Sequence, residues 1–297
     1  MAYAHAVTGA GSGFVAPRIR HIGLADIRDA LRLGWEDFAA IPSHAVFLCL
    51  IYPLIGFLLG WAAFGYRILP LLYPMITGFA LVGPIAGLGL YELSRRREQG
   101  EEAVLTHAFD ILRSPSRWAI ALLALMLVLI FCAWLVAAQG LYWLTLGDVR
   151  PESLEHLLRL VFGTNEGWTL IVAGNLVGFL FAALVLVISV FSFPLLIDHH
   201  VGAADAVLTS VRAVQANPVM MALWGLIVAV VLFIGSVPLF LGLTVAVPVL
   251  GHATWHLYRK TIDAEALPRQ EYIEPSTARR SAADFPVALF TPTRDEP

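Results

Sequence analysis

Apolar and polar positions along this chain come in blocks. Long uncharged runs alternate with short stretches that carry most of the charge. The organising polar stretch is 92–117, ELSRRREQGEEAVLTHAFDILRSPSR, set between apolar runs at 69–91 and 118–144. At 1.5 Å per residue, runs of this length cover the ~30 Å hydrocarbon core of a bilayer. Read the same way throughout, the chain predicts six transmembrane helices at about 45–66, 69–91, 118–144, 168–197, 219–235 and 237–258.

Local signals refine this pattern. The second run contains Pro70, Pro74 and Pro84, so it is expected to be kinked and buried among its neighbours. The run at 168–197 is long for one span and is expected to tilt or to kink at Pro194. From Leu24 to Phe38 the period changes: Ile27, Leu31, Trp35 and Phe38 recur at helical spacing opposite Arg28, Asp29, Arg32 and Glu36. This predicts an amphipathic helix. It either lies at the inner interface with Trp35 and Phe38 as anchors, or packs on the protein's own inner face. The segment PESLEHLLRLVF aligns Leu154, Leu157, Leu158 and Val161, which predicts a short helix on the outer interface. The domain is placed at 17–260, between disordered tails at 1–16 and 261–297, the latter rich in proline and mixed charge.

The inner segments echo one another. Glu102-Ala-Val-Leu-Thr106 matches Asp205-Ala-Val-Leu-Thr209, and Pro115 and Pro218 follow the two acids at equal distance. Asp29 and Pro42 fit the same frame. Pro84-Ile-Ala-Gly87 before Arg95-Arg96 parallels Pro248-Val-Leu-Gly251 before Arg259-Lys260. The resulting expectation is an all-α polytopic membrane protein whose six transmembrane helices form three hairpins. Each hairpin is preceded by a cytoplasmic amphipathic helix, and Pro42, Pro115, Pro218, Pro84 and Pro248 act as structural hinges.

Charge sets the orientation. Arg18, Arg20, Arg28 and Arg32 and the cluster Arg95, Arg96, Arg97, Arg113 and Arg117 fall on one side, against Arg67, Arg150 and Arg159 on the other. The positive-inside rule then puts both termini in the cytoplasm of a bacterial inner membrane. With 59% apolar and 14% charged residues the chain departs from a soluble domain, which carries about 25% charged residues. A net charge of -3 gives no reason to expect a nucleic-acid partner. Cys49 and Cys132 both sit in apolar runs and read as small buried hydrophobes. No cleavable leader pattern opens the chain, and Gly9, Gly11 and Gly13 lack the context of a phosphate loop.

Little of this sequence reads as chemistry. His252 and His256 share one helix face, with His44 at a comparable depth. The three could hold a metal, or two could ligate haem. The ordinary reading is of wet interface histidines, and no metal or cofactor is expected. Asp198, His199 and His200 read as a solvated span end, and Glu92 as a partner for the arginines that follow it. No charge falls in the core of a predicted span, which argues against proton-coupled transport and intramembrane catalysis. Asn175, Gln139 and Thr77 are polar exceptions suited to interhelix hydrogen bonds. No nucleophile-elbow, zinc-protease, nucleotide-binding or haem-attachment motif is present, so an enzyme is not expected.

Several pieces together resemble an uncharacterised family of predicted proteobacterial integral membrane proteins. They are Pro17-Arg-Ile19, Asp26-Ile27, Gly34-Trp-x-Asp-Phe38, Phe193-Pro-Leu-Leu-x-Asp198, Thr209-Ser-x-Arg-Ala-Val214 and Asn217-Pro218. Members are often labelled as related to cytochrome c oxidase subunit one. That catalytic subunit needs about twelve spans and six histidines buried at defined depths, which this chain lacks; association with a respiratory complex is compatible with it. The expected function is a noncatalytic accessory, assembly or scaffolding protein, in contact with membrane lipids and with a membrane complex or its own copies. The alternative is a channel or carrier for a small apolar or weakly polar solute.

Overall fold

Uncharged runs become helices because a backbone in hydrocarbon has to satisfy its own hydrogen bonds. The computed structural model describes residues 16–41, 69–238, 240–265 and 267. Strand β1 (Arg18–Ile19) leads into helix α1 (Leu24–Ala40). The described chain resumes as a series of short pieces: a 3-10 turn (Leu69–Leu71), α2 (Leu72–Gly78), a second 3-10 turn (Phe79–Val82), α3 (Gly83–Ala86) and α4 (Leu88–Glu98). A 3-10 helix (Leu105–Arg113) connects to α5 (Arg117–Leu146), which Gly147 ends at a positive φ of 67°. Next come α6 (Leu154–Gly163) and α7 (Asn165–Ser189), capped by the Ser153 and Thr164 hydroxyls respectively. The chain continues through α8 (Ser192–Asp198), α9 (Ala203–Ala216), α10 (Pro218–Ser236) and α11 (Leu243–Thr261). Strand β2 (Ile262–Asp263) then pairs antiparallel with β1, and Arg20 reaches Asp263 at 2.8 Å.

Among the described residues four helical stretches are long and apolar enough to cross a membrane: 72–98, 117–146, 165–198 and 218–236. This corrects the expectation of six spans in three hairpins. The predicted run at 45–66, and with it Pro42 and His44, lies outside the described residues. The predicted run at 237–258 corresponds to α11, which is half apolar. Its C-terminal half carries His252, His256, Arg259 and Lys260 and is built into a polar layer. The repeated sequence frame also fails to repeat in structure. Asp205 sits in the first turn of the α-helix α9, whereas Glu102 precedes a 3-10 helix.

The stretch 72–98 breaks where its small and cyclic residues fall. Gly78, Gly83 and Gly87 separate its pieces, and Pro84 occupies the start of α3, where a missing N–H costs nothing. The gap at Gly78 receives a wedge from α5. Trp134 donates from Nε1 to the Pro74 carbonyl at 2.9 Å and lies tilted against Phe181 of α7, ring centres 5.7 Å apart. A Cβ at Gly78 would come within 2.5 Å of the indole. The third described span breaks at Val190 and Phe191, ahead of Pro194, which occupies the first turn of α8. Asn175 accepts a hydrogen bond from the Tyr73 hydroxyl at 3.1 Å, while Thr77 bonds back within its own helix.

The spans end at Glu98 and Asp198 and begin again at Arg117 and Pro218, so these four points share one side of the molecule. The core gathers there. Helix α1 packs along α11, where a Cβ at Gly34 would meet the Ala253 nitrogen at 2.6 Å and the Val249 oxygen at 2.7 Å. The buried stripe of α1 is Ile27, Ala30, Gly34, Asp37 and Phe38. It is rotated from the predicted one, because close helix approach selects small residues and leaves Trp35 outside, 55% exposed.

Candidate functional site: a buried polar layer

Helix α4 is the hub. Ser94 donates its hydroxyl proton to Asp37 Oδ2 at 2.6 Å and lies 2.7 Å from His252 Nδ1. A serine has one proton to give, so the ring proton of His252 belongs on Nδ1, pointing at the serine oxygen. On the far side of the carboxylate, His256 Nε2 is 2.8 Å from the same Asp37 oxygen. Arg97 contacts Asp37 Oδ1 at 3.1 Å and donates to the Glu36 carbonyl at 2.7 Å. The result is a chain, His256–Asp37–Ser94–His252, running from a partly exposed imidazole to a fully buried one and clamping α1, α4 and α11 together.

Burial works against the Asp37 charge, but hydrogen bonds from His256 and Ser94 and the facing imidazoles hold its carboxyl below the ordinary value. Burial pushes His252 down to about 4, so its imidazole is neutral at pH 7. Helical spacing puts both histidines on one face of α11, as the sequence implies. Neither behaves as a wet interface residue.

Two further clusters extend the layer. Asp198 Oδ2 accepts from the Tyr258 hydroxyl at 2.9 Å and from Arg259 at 3.2 Å, with His199 Nε2 at 3.1 Å. Arg259 also donates to Glu98 at 2.9 Å, and the other Glu98 oxygen receives the Trp255 indole proton at 2.9 Å. Burial and then the Asp198 charge raise the Tyr258 hydroxyl well above its usual range. Glu92, fully buried, is held by Arg95 at 2.7 Å and Arg96 at 2.8 Å, as its place before the arginine cluster predicts. Arg96 then reaches Asp110 of the 3-10 helix at 3.0 Å. At the rim, Lys260 contacts Asp29 at 2.6 Å; with Arg32, which also contacts Asp29, it pulls that carboxyl down to about 2.

This arrangement closes charges on one another. Ser94 is 1% exposed and gives its proton to a carboxylate, so it is no nucleophile despite its histidine neighbour. Among the described residues no group of three or more His, Cys, Asp or Glu side chains is placed to hold a metal ion. A shallow open depression lies at the opposite end of the molecule, on α6, beside Glu152, His156 and Arg159.

The other residues singled out in the sequence fall in scattered places. Pro115 is exposed in the turn before α5, Pro218 opens α10, Pro84 lies at the start of α3 and Pro248 is inside α11. Phe38 is buried against Leu90, while Trp35 faces outward. The echoed frames at 84 and 248 lead to segments that touch: Gly251, three residues after Pro248 within α11, packs on Leu90 of α4, where a Cβ would come within 2.6 Å. The sequence presents Asp37 only as one position of the motif Gly34-Trp-x-Asp-Phe38, gives no sign of Ser94, and makes Asp198 look like a solvated span end. The usable signal was Asp37 itself, a carboxylate in register with Ile27, Ala30 and Gly34 on the apolar stripe.

Residues 72–198 match the model of a family described as "Predicted integral membrane protein (DUF2189)". No curated protein and no solved structure matches the chain. The match supports the coarser half of the resemblance read from the sequence, an uncharacterised family of predicted integral membrane proteins. It carries no specific tie to proteobacteria or to cytochrome c oxidase. With the four candidate spans it makes this a multi-pass membrane protein in contact with lipid.

Proposed function

We propose that the protein is a noncatalytic accessory, assembly or scaffolding protein of a bacterial inner membrane, with its polar layer on the cytoplasmic side. One observation carries this reading: the buried carboxylates of the layer are paired internally while the apolar faces are left open. Asp37, Glu92, Glu98 and Asp198 are each bonded to groups within the layer. On the spans, by contrast, Trp118, Leu122, Leu125 and Leu129 form an exposed stripe on α5. Leu226, Val230, Phe233 and Val237 do the same along α10 and just past its end. A rigid, neutralised platform with apolar flanks suits lateral contact with lipid and with other membrane helices. The positive-inside distribution of arginines supports the cytoplasmic placement. The cytochrome-oxidase label often given to the proteins it resembles makes a respiratory complex the first partner to test.

The test is gentle extraction of the tagged protein from its native membrane, with mass spectrometry of what stays bound. The expected result is a reproducible integral-membrane partner, lost when Leu226 and Phe233 are both replaced by alanine. A protein that always leaves the membrane alone, and whose deletion changes no complex, would overturn the reading. In that case solute flux in liposomes becomes the experiment to run.

A further inference from the structure

We propose that the outward face of the 3-10 helix Leu105–Arg113, together with the first residues of α5, is a seat for acidic phospholipid. The 3-10 helix buries Ala108 and Ile111, the former against Ile41 and Leu93 of the polar layer. Its other face carries Phe109 and Leu112, which are 55% and 71% exposed. Two large side chains in water on a segment otherwise tied to charged neighbours call for a cover.

Charge and position identify that cover. Asp110, the acid of this segment, is engaged by Arg96 at 3.0 Å, and its contact with Arg113 is a loose 3.6 Å. Arg113 therefore projects, 68% exposed, with most of its charge available. Arg117 stands next to it in the chain's path, its guanidinium 5.8 Å from the ring centre of exposed Trp118. Trp118 is the first member of the exposed α5 stripe that continues into the membrane-spanning run. An aromatic at the span boundary, two arginines and two apolar side chains just beyond it match a bilayer surface. The arginines select anionic headgroups, and the apolar pair enters the acyl boundary. A neutral protein surface would leave both guanidiniums uncompensated. This inference needs only the membrane placement and is independent of the accessory role.

The test uses the full-length protein, delipidated in neutral detergent and then offered equal amounts of phosphatidylglycerol and phosphatidylcholine. Bound lipid is counted by native mass spectrometry. The expected result is roughly 25-fold preferential retention of phosphatidylglycerol, weakened by salt. Each arginine is expected to contribute roughly fivefold. Arg113→Gln with Arg117→Gln should bring retention of the two lipids close to parity at an unchanged thermal midpoint. Phe109→Ser with Leu112→Ser should lower retention of both lipids and leave the preference in place. Equal retention by the wild type would overturn the proposal. So would a preference that survives the double arginine change, or a protein partner from the native membrane that is lost on changing Phe109 and Leu112.

Discussion

The two ends of this molecule's helices are held by different physics. On the polar side, α1, α4, α8 and α11 are joined by side chains that reach across elements: Asp37 to Ser94 and His256, Asp198 to Tyr258, Glu98 to Trp255 and Arg259. In the hydrocarbon region contacts are mainly apolar and steric, as where Trp134 fills the space left by Gly78 and Gly178. Burial there is uneven: 56% of the most apolar part of 165–198 is buried, against 17% of that of 218–236. Lipid supplies no hydrophobic drive for helices to associate, so an apolar face can stay outward there at little cost. A carboxylate in the layer has no such option, because removing one partner strands the other in a place where water cannot replace it.

The largest break in this contrast should come from Asp37→Ala. It strips partners from His256, Ser94 and Arg97, and a loss of about 3–5 kcal/mol is expected from chemical unfolding in detergent. Leu129→Ala, on the exposed α5 stripe, should shift the same curve by no more than about 0.5 kcal/mol. Next comes close packing. Gly34→Val drives a side chain into the α11 backbone and should cost about 1–3 kcal/mol. Gly174 meets open space on α7, and Gly174→Val there should be nearly neutral in thermal midpoint. Tyr258→Phe removes one hydrogen bond to Asp198 and leaves Arg259 in place, so a smaller loss of about 1–2 kcal/mol is expected.

The pH dependence sharpens the contrast further. His252 ionises near 6.5 when unfolded and near 4 in the layer, so between those values the unfolded chain binds the extra proton. Stability should therefore fall as pH drops from 6.5 toward 4. Asp37, held below its ordinary 3.8, adds a further loss only at still lower pH. His252→Asn, whose amide can donate where Nδ1–H does, should flatten the first part of that decline. An unchanged slope in this variant would show that His252 is not the group responsible.

How much of this could be read in the sequence follows from the same contrast. The uncharged runs at 118–144, 168–197 and 219–235 announce themselves because lipid tolerates no ambiguity of composition. Helix α11 does not, since its first half is apolar and its second half polar and buried; a hydropathy reading averages the two and calls a span. Helix α1 was legible as amphipathic, but its contact face was not. Ala30 and Gly34 carry little hydrophobicity and are chosen for the room they leave to α11. The strand pair of Arg18–Ile19 with Ile262–Asp263 left no local signal, being two residues long and made across the whole chain. The arginine cluster is legible both as an orientation signal and as the counter-charge of Glu92, but not that Glu92 is fully buried with Arg95 and Arg96 closed over it.

The central claim is that α1 belongs to the protein's own polar layer and does not rest on the membrane. Hydrogen–deuterium exchange of α1, compared between neutral detergent and lipid nanodiscs, tests it most directly. The amides from Ala30 to Phe38 should be slow in both media and should speed up together in Asp37→Ala. Fast exchange of these amides in detergent, with protection appearing only in the bilayer, would contradict the account and make α1 an interface helix.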